Sequence, residues 1–473
     1  MAASQNARAI YYTLGGVLTG LFLAALDQTI VAIGLPTILA DLGGEKWYGW
    51  VGVMYLAGST LAAPLTGRLV EIFPRRPILL SALSLFGLGS LLCGLANHFG
   101  LLLIFRFIQG SGGGALFTLA FTTLAWFFPP RQRSRWSALI GILFGTASAI
   151  GPLLGGYLTQ HLGWQWLFWI NLPFLLLGLY FIYRYLPEEG PFTPAPLDVG
   201  GLVRLAGWSL PLLLTFSLWN LYGTAAFLPS LGLLSVALLS LYLWIRYEAR
   251  HPSPLFELRL VRVPTFRHAA VSGFLFSAIF LGGVTFLPLY LQRVLGLAPA
   301  QSGLWLLTFT LGAMVSIGLV GAWVSRSGRY KPLLLGANIL LAILLAFAAV
   351  ALPLTYRTWT LPAAMIGAGA ALGPFQALLS VIGQNDVPLE RIGSATSALQ
   401  FMRQMGGTIG LAFLNTLYGL GSAEGHIARG LQWVFGGSVV LALLLGLSVA
   451  QLPGGRLRTR HLEADPTRHP LPE

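Results

Sequence analysis

The chain has 473 residues, 56% of them hydrophobic and only 9% charged. Soluble domains carry about one-quarter charged residues, so the composition excludes a soluble globular fold and points to an all-α polytopic membrane protein. The net charge of +13 sits between apolar runs, where it reads as a topology signal rather than a nucleic-acid surface.

A membrane span needs ~20 apolar residues. On that rule fourteen spans are expected. The first six run near 10–36, 47–69, 78–96, 100–126, 136–160 and 164–186, and two more near 200–220 and 224–246. The last six run near 265–292, 300–325, 332–353, 358–383, 392–419 and 429–451. The 58 glycines and 28 prolines suit such helices, which pack closely through small residues. The segment 247–264 is the longest charged connection, read either as a surface helix or as a plain linker, and the tail 453–473 is expected to be disordered.

An even span number puts both termini on one side. That side carries Arg75 and Arg76, then Arg131, Arg133 and Arg135, the 246–267 arginines, Arg326, Arg329, Lys331 and Arg391. The opposite loops carry only Lys46, Arg293, Arg357 and Arg429, so both termini are expected to be cytoplasmic.

Asp27 is the only one of the fifteen acidic residues placed inside a span. A carboxylate at that depth costs ~3 kcal/mol or more. It is read as a proton- or substrate-binding group, with a structural hydrogen-bonding role as the alternative. Asp27 lies ~24 Å from the cytoplasmic start of span one, along a ~30 Å core. Arg106 lies ~9 Å from the outer start of the inward-running span four, which brings the two within ~3 Å in depth. Burial raises a carboxyl pKa and a neighbouring arginine lowers it, so a pair that separates in one transport state would exchange a proton. A permanent ion pair locking two helices is the competing reading.

Two loops resemble each other. Gly67–Pro77 joins spans two and three, Gly321–Pro332 joins spans ten and eleven, and each opens on glycine and closes on a basic cluster with proline. With spans seven and eight as an insertion, the loops fall at equivalent positions of two six-helix halves, an arrangement typical of secondary transporters. The organisation expected is a six-helix half over 1–186, two inserted helices and a cytoplasmic linker over 187–264, and a second half over 265–452.

Five motifs then resemble those of the fourteen-helix drug:proton antiporters of the major facilitator superfamily. Leu26–Pro36 resembles LDxTxVxxALP, and Gly67–Pro77 resembles GxLaDrxGrr with Glu71 for Asp and Pro74 for Gly. Arg106–Gly114 resembles RxxQGxGxA, and Gly145–Gly156 resembles GxxxGPxxGG. Trp164–Pro173 resembles WRWxFxINxP, with Gln165 for Arg. The resemblance covers all fourteen spans and implies a major facilitator fold with two additional central helices. It also implies proton coupling through Asp27 and Arg106.

Gly67, Arg68, Glu71, Arg75 and Arg76 form a candidate cytoplasmic gating latch. In it Glu71 accepts from a helix N-terminus and the arginines pair with loop carboxylates; positive-inside topology explains Arg75 and Arg76 equally well. Gly145, Gly151, Gly155 and Gly156 are expected to put three glycines near one helix face, with Pro152 bending the helix. The resemblance assigns that face to contact between the halves; ordinary close packing predicts the same geometry. Gln28, Gln109, Gln376 and Arg403 are candidates for a substrate cavity, with interhelical hydrogen bonding as the alternative. Phe276, Trp305 and Phe375 are candidate apolar lining or plain packing. Arg403 is singled out by its charge, ~11 residues into span thirteen, to face the cavity or pair with Asp27.

No nucleotide loop of the form GxxxxGK[ST] occurs, Cys93 is the single cysteine, and the seven histidines lack ligand spacing. No enzyme activity, metal or cofactor is therefore expected, with protons as the coupling ion. The reading is a monomeric proton-coupled exporter of lipophilic neutral or monocationic drug-like compounds, in the inner (plasma) membrane. A lipid or glycolipid transporter on the same fold is the alternative.

Overall fold

The computed structural model describes residues 2–43, 50–186, 197–251, 254–297, 299–351, 360–422 and 426–459. Lys46, Arg357, Glu424 and the tail beyond 459 lie outside the described residues. Fifteen α-helices occur among the described residues, and no β-strand. They are α1 (Ala2–Leu42), α2 (Trp50–Ile72), α3 (Arg75–Gly94), α4 (Phe99–Phe127) and α5 (Pro130–His161). The short α6 (Trp166–Trp169) and α7 (Asn171–Tyr185) follow, then α8 (Val199–Tyr222) and α9 (Phe227–Glu248). The series ends with α10 (Pro264–Arg293), α11 (Pro299–Ser327), α12 (Lys331–Ala351), α13 (Thr360–Gly383), α14 (Ile392–Gly421) and α15 (Ile427–Ala450).

Each of the fourteen expected segments holds a helix among the described residues, the sixth holding α6 and α7. Eleven are long and apolar enough to cross a membrane among the described residues. Trp166–Tyr185 counts as one of these; Pro173, which lacks an N–H, sits in the first turn of α7, where the missing donor does no harm.

The chain divides into two compact units. The first comprises 1–127, 146–258 and 389–400; the second comprises 128–145, 259–388 and 401–473. In the first, α4 is the central element, packed on α1, α2 and α3. Gly110 and Gly112 make this possible: a Cβ on either would lie within 2.1 Å of the Tyr55 carbonyl or 2.3 Å of the Phe86 amide. Helix α8 packs along α9 and on α2, and its N-terminus is capped by Asp198, which accepts from the Gly201 amide at 2.7 Å. In the second unit α13 packs on α10, α11 and α12, and α15 on α10 and α12.

The start of the tail is ordered, against the expectation of disorder from residue 453. Its backbone finds partners: Tyr330 Oη donates to the Pro453 carbonyl (2.9 Å) and the Leu457 amide to the Gly328 carbonyl (2.8 Å). Asn385 Oδ1 accepts from the Arg458 amide, and Asp386 from its guanidinium, each at 2.9 Å. In the 247–264 connection Leu255 and Leu260 are buried and Leu258–Arg262 forms a 3-10 turn.

Candidate functional site

Asp27 and Arg106 meet inside the first unit. Arg106 Nη1 donates to Asp27 Oδ2 at 2.6 Å, and the two residues are 2% exposed or less. Gln109, one turn along α4, completes the pair. Its Nε2 donates to Asp27 Oδ1 (2.8 Å) and to Ser90 Oγ (2.9 Å), while its Oε1 accepts from Arg106 (2.7 Å). Asn171 Nδ2 reaches the same Ser90 hydroxyl at 3.3 Å, and Cys93 Sγ lies 3.6 Å from Gln109 Oε1. The Arg106 guanidinium lies 4.5 Å from the centroid of the Tyr55 ring and 5.9 Å from that of Phe168. Both Asp27 oxygens are therefore engaged by donors in a site without exposed members.

Helix spacing explains the assembly. Arg106 and Gln109 stand at i and i+3 and so share a face of α4. Gly89 of α3 lets that face come close, since a Cβ there would lie 2.5 Å from the Gln109 backbone. Gln109, expected in the substrate cavity, is instead 0% exposed, because its amide is consumed by the ion pair. Gln28, next to Asp27, is exposed. Tyr55 and Ser90 have no sequence signal of their own, and Cys93 stands out in the sequence only as the single cysteine. Asn171 carried a signal, standing in the run Trp164–Pro173.

Arg403 has its contacts within the second unit. Its Nη2 donates to Gln376 Oε1 at 2.6 Å, and its guanidinium lies 5.4 Å from the Phe276 ring centroid. The run after it sets this placement. Gly406 and Gly410, one turn apart, seat α14 on α10, where added Cβ atoms would meet the Phe274 carbonyl (2.2 Å) and the Ala278 Cβ (2.1 Å). The Arg403 stem then lies over Gly273. Phe276 stacks on Phe280 (5.8 Å) and Phe375 (6.1 Å). Phe276 and Phe375, expected to line a pocket, are 1% and 0% exposed and serve as backing. Phe280, Gln376, Arg403 and Trp305 are half-buried.

At the C-terminal end of α2, Glu71 Oε1 accepts from the Ser394 amide (2.7 Å) and Oε2 from the Ser394 hydroxyl (2.9 Å), in the first turn of α14. Arg68 donates to Oε2 at 3.1 Å. Burial pushes the Glu71 carboxyl above its ordinary range, against the lowering effect of the Ser394 bonds and the Arg68 charge. Gly67 fits beneath Ser397, whose Oγ would lie 2.2 Å from an added Cβ. Arg75 stands over the Trp126 ring (4.2 Å), and Arg76 donates to the Tyr183 carbonyl and covers its ring (4.6 Å). Where carboxylate partners were expected for these two arginines, aromatic faces on α4 and α7 are in contact with them.

The resembling loop behaves similarly in the second unit. Gly321 packs on the first turns of α5, with Ala138 Cβ 2.4 Å from an added Cβ. Arg131 Nε donates to the Ser325 carbonyl at 2.9 Å.

The glycines of α5 do not form one face. Gly151 and Gly155 meet α1 at Thr29 and Ile30, Gly145 meets Met314 of α11, and nothing lies within 4 Å of a Cβ on Gly156. The Pro152 side chain lies outside the described residues. Thr29 Oγ1 also donates to the Ala147 carbonyl (3.2 Å), which ties α5 to α1 half a turn past Asp27.

Among the described residues, eleven helices long and apolar enough to cross a membrane, with a buried carboxylate–guanidinium pair, define a polytopic membrane protein. Residues 17–411 match the family model of the Major Facilitator Superfamily, and the chain belongs to that family of membrane transporters. It is 30% identical over 413 residues to the multidrug transporter protein MdtP of Bacillus subtilis (strain 168), covering 87% of this chain and 76% of that one. It is 31% identical over 402 residues to multidrug resistance protein 3 of the same organism, covering 85% and 78%. Among solved structures, the human organic anion transporter MFSD10 (TETRAN) superposes with a TM-score of 0.68 at 20% identity, covering 93% of this chain and 99% of that one. At that identity the likeness establishes the fold alone.

Proposed function

We propose that this protein is a fourteen-span, proton-coupled antiporter that exports lipophilic small molecules by alternating access. It works as a monomer in the plasma membrane with both termini cytoplasmic, organised as two six-helix halves around two inserted helices, and with no cofactor beyond the proton. The relatives named as multidrug transporters support drug export. The basic residues crowded into alternate loops support the orientation. The equivalent seats of Gly67 and Gly321 support the repeat.

The observation that carries proton coupling is Asp27: a buried acid held by Arg106 and Gln109. Opening that pair would leave a desolvated carboxylate that takes up a proton, and closing it would release the proton. Because the acid is engaged internally, little negative charge is left for a cationic cargo. Beside neutral compounds, cationic cargo is therefore limited to monocations, and dications are excluded by the several kcal/mol cost of an unpaired buried charge.

Asp27→Asn tests this. In proteoliposomes, dye efflux driven by a pH gradient is expected to fall to the level seen when a protonophore collapses the gradient, with purification yield unchanged. Full gradient-driven efflux by the variant would remove Asp27 from proton coupling.

A further inference from the structure

We propose that Arg403 and Gln376 form a binding site for a lipophilic monoanion: a single carboxylate, sulfonate or phosphate group on a flat apolar body. The inference rests on the export reading and extends its cargo to the opposite sign of charge.

Arg403 stands ~16 Å into α14, near the middle of a ~30 Å hydrocarbon core. A charge at that depth needs a partner of opposite sign or a functional reason to be there. Among the described residues no carboxylate pairs with Arg403; the hydrogen bond to Gln376 and the Phe276 ring are its contacts. A guanidinium has five N–H donors, and one of them is engaged. The others are not buried orphans: no Arg403 nitrogen is among the buried polar atoms without a partner, and the side chain is half-buried. A half-buried guanidinium with no carboxylate partner among the described residues is a place where an anionic ligand would be stabilised.

Gln376 adds to the donor set. Its Oε1 accepts from Arg403, which turns its Nε2 amide away as a donor; that nitrogen is likewise absent from the buried orphans. The guanidinium is a planar fork, and the Gln376 amide hydrogen-bonded to it is a second donor group. A fork of this kind matches the two oxygens of a carboxylate, or of a phosphate or sulfonate, in bidentate fashion. The apolar part of the site is the ring series Phe276, Phe280 and Phe309, with centroid steps of 5.8 Å and 6.5 Å. Phe276 is packed from behind by Phe375, and Phe280 is the half-buried member that an aromatic ligand can cover.

The anion can belong to a soluble lipophile or to an anionic lipid headgroup, and the test separates them. The probes are 1-anilinonaphthalene-8-sulfonate and N-phenyl-1-naphthylamine, which share an aromatic body and differ by the sulfonate. In phosphatidylcholine proteoliposomes with an imposed pH gradient, the wild-type protein is expected to transport both. Arg403→Gln is expected to lower the ratio of anionic to neutral dye transport about tenfold, the loss of one charge-assisted contact. Arg403→Lys is expected to recover part of the ratio, and Gln376→Leu to lower it by about threefold. Because Arg403→Lys and Gln376→Leu keep a cation in place, they carry the test even if Arg403→Gln does not purify as a folded protein.

An unchanged ratio in the Arg403 variants overturns the site. Wild-type transport of the neutral dye without the anion overturns it while leaving export intact; transport of neither dye removes the export reading itself. Inhibition by added dioleoylphosphatidylglycerol that depends on Arg403 supports a lipid headgroup as the anion, and absence of inhibition supports a soluble one. Inhibition that persists unchanged in Arg403→Gln counts against the site.

Discussion

Arg106 and Arg403 are the same side chain at similar depth, and their surroundings differ in kind. Arg106 has an ion-pair partner at 2.6 Å, an amide at 2.7 Å and aromatic faces on two sides, and is 2% exposed. Arg403 has one neutral amide and one ring, and is half-buried. The first is a closed electrostatic unit whose charge is matched internally. The second presents charge to whatever enters beside it. Net intramembrane charge thus says little about cargo until each ion has been assigned its partners.

Truncating each arginine gives the largest expected effect and tests the contrast directly. Arg106→Met leaves Asp27 buried with Gln109 as its remaining partner, and removing one member of a buried pair costs about 3–5 kcal/mol. The thermal unfolding midpoint of the purified protein in detergent is expected to fall steeply. The double variant Asp27→Asn/Arg106→Met should recover most of the loss, since replacing both members of a buried pair by neutral groups is often neutral or stabilising. Arg403→Met breaks no ion pair and is expected to cost less than ~1.5 kcal/mol, the net value of a typical hydrogen bond. Equal losses from Arg106→Met and Arg403→Met would erase the distinction between the two sites.

Gln109→Leu sharpens the first side of the comparison at intermediate size. It strips one donor from Asp27 and one acceptor from Arg106 while leaving the ion pair. Leaving buried polar groups unsatisfied costs about 1–3 kcal/mol. The same truncation at Gln376, whose partner is not fully buried, is expected to cost less by thermal unfolding. If Gln109→Leu is the milder of the two, Gln109 is ordinary interhelical packing and not part of the acid's support.

The depth of the Asp27–Arg106 pair was legible because helix rise is constant, and counting residues from two span ends sufficed. Which neighbours surround the pair was not, because that depends on how each helix is rotated. Tyr55, Ser90 and Cys93 come from α2 and α3, whose azimuths no residue count specifies. Gln109 was assigned to the cavity for the same reason: a polar residue in a span has two possible sides. The α5 glycines were misjudged on rotation alone. At 100° per residue Gly151 and Gly155 lie about 40° apart around the helix, whereas Gly145 and Gly151 lie about 120° apart, which sends them to different neighbours. Glu71 is read from the sequence as an acceptor for a helix N-terminus, and its carboxylate accepts from Ser394 in the first turn of α14, while Gly67, one turn earlier on α2, fits beneath Ser397.

The smallest effect concerns Glu71, a carboxylate intermediate between the two sites. It has a cationic neighbour, as Asp27 does, but lies beyond the expected end of span two, where water is near. Glu71→Ala orphans the Ser394 amide and is expected to cost about 1 kcal/mol, the size of a lost N-terminal cap. Glu71→Gln keeps the acceptor and removes the charge. The folded Glu71 carboxyl is raised above its ordinary value of 4.5, with burial as the largest cause. A group with a raised folded pKa contributes stability that is fully present below the unfolded pKa and is lost as pH rises through the folded one. The wild-type unfolding midpoint should therefore drop relative to Glu71→Gln as pH rises from about 4 to about 8. A gap that widens in the wild type's favour with rising pH would mean that Arg68 and the helix N-terminus outweigh burial. Glu71 would then belong with Asp27, as a carboxylate whose charge the protein matches in full.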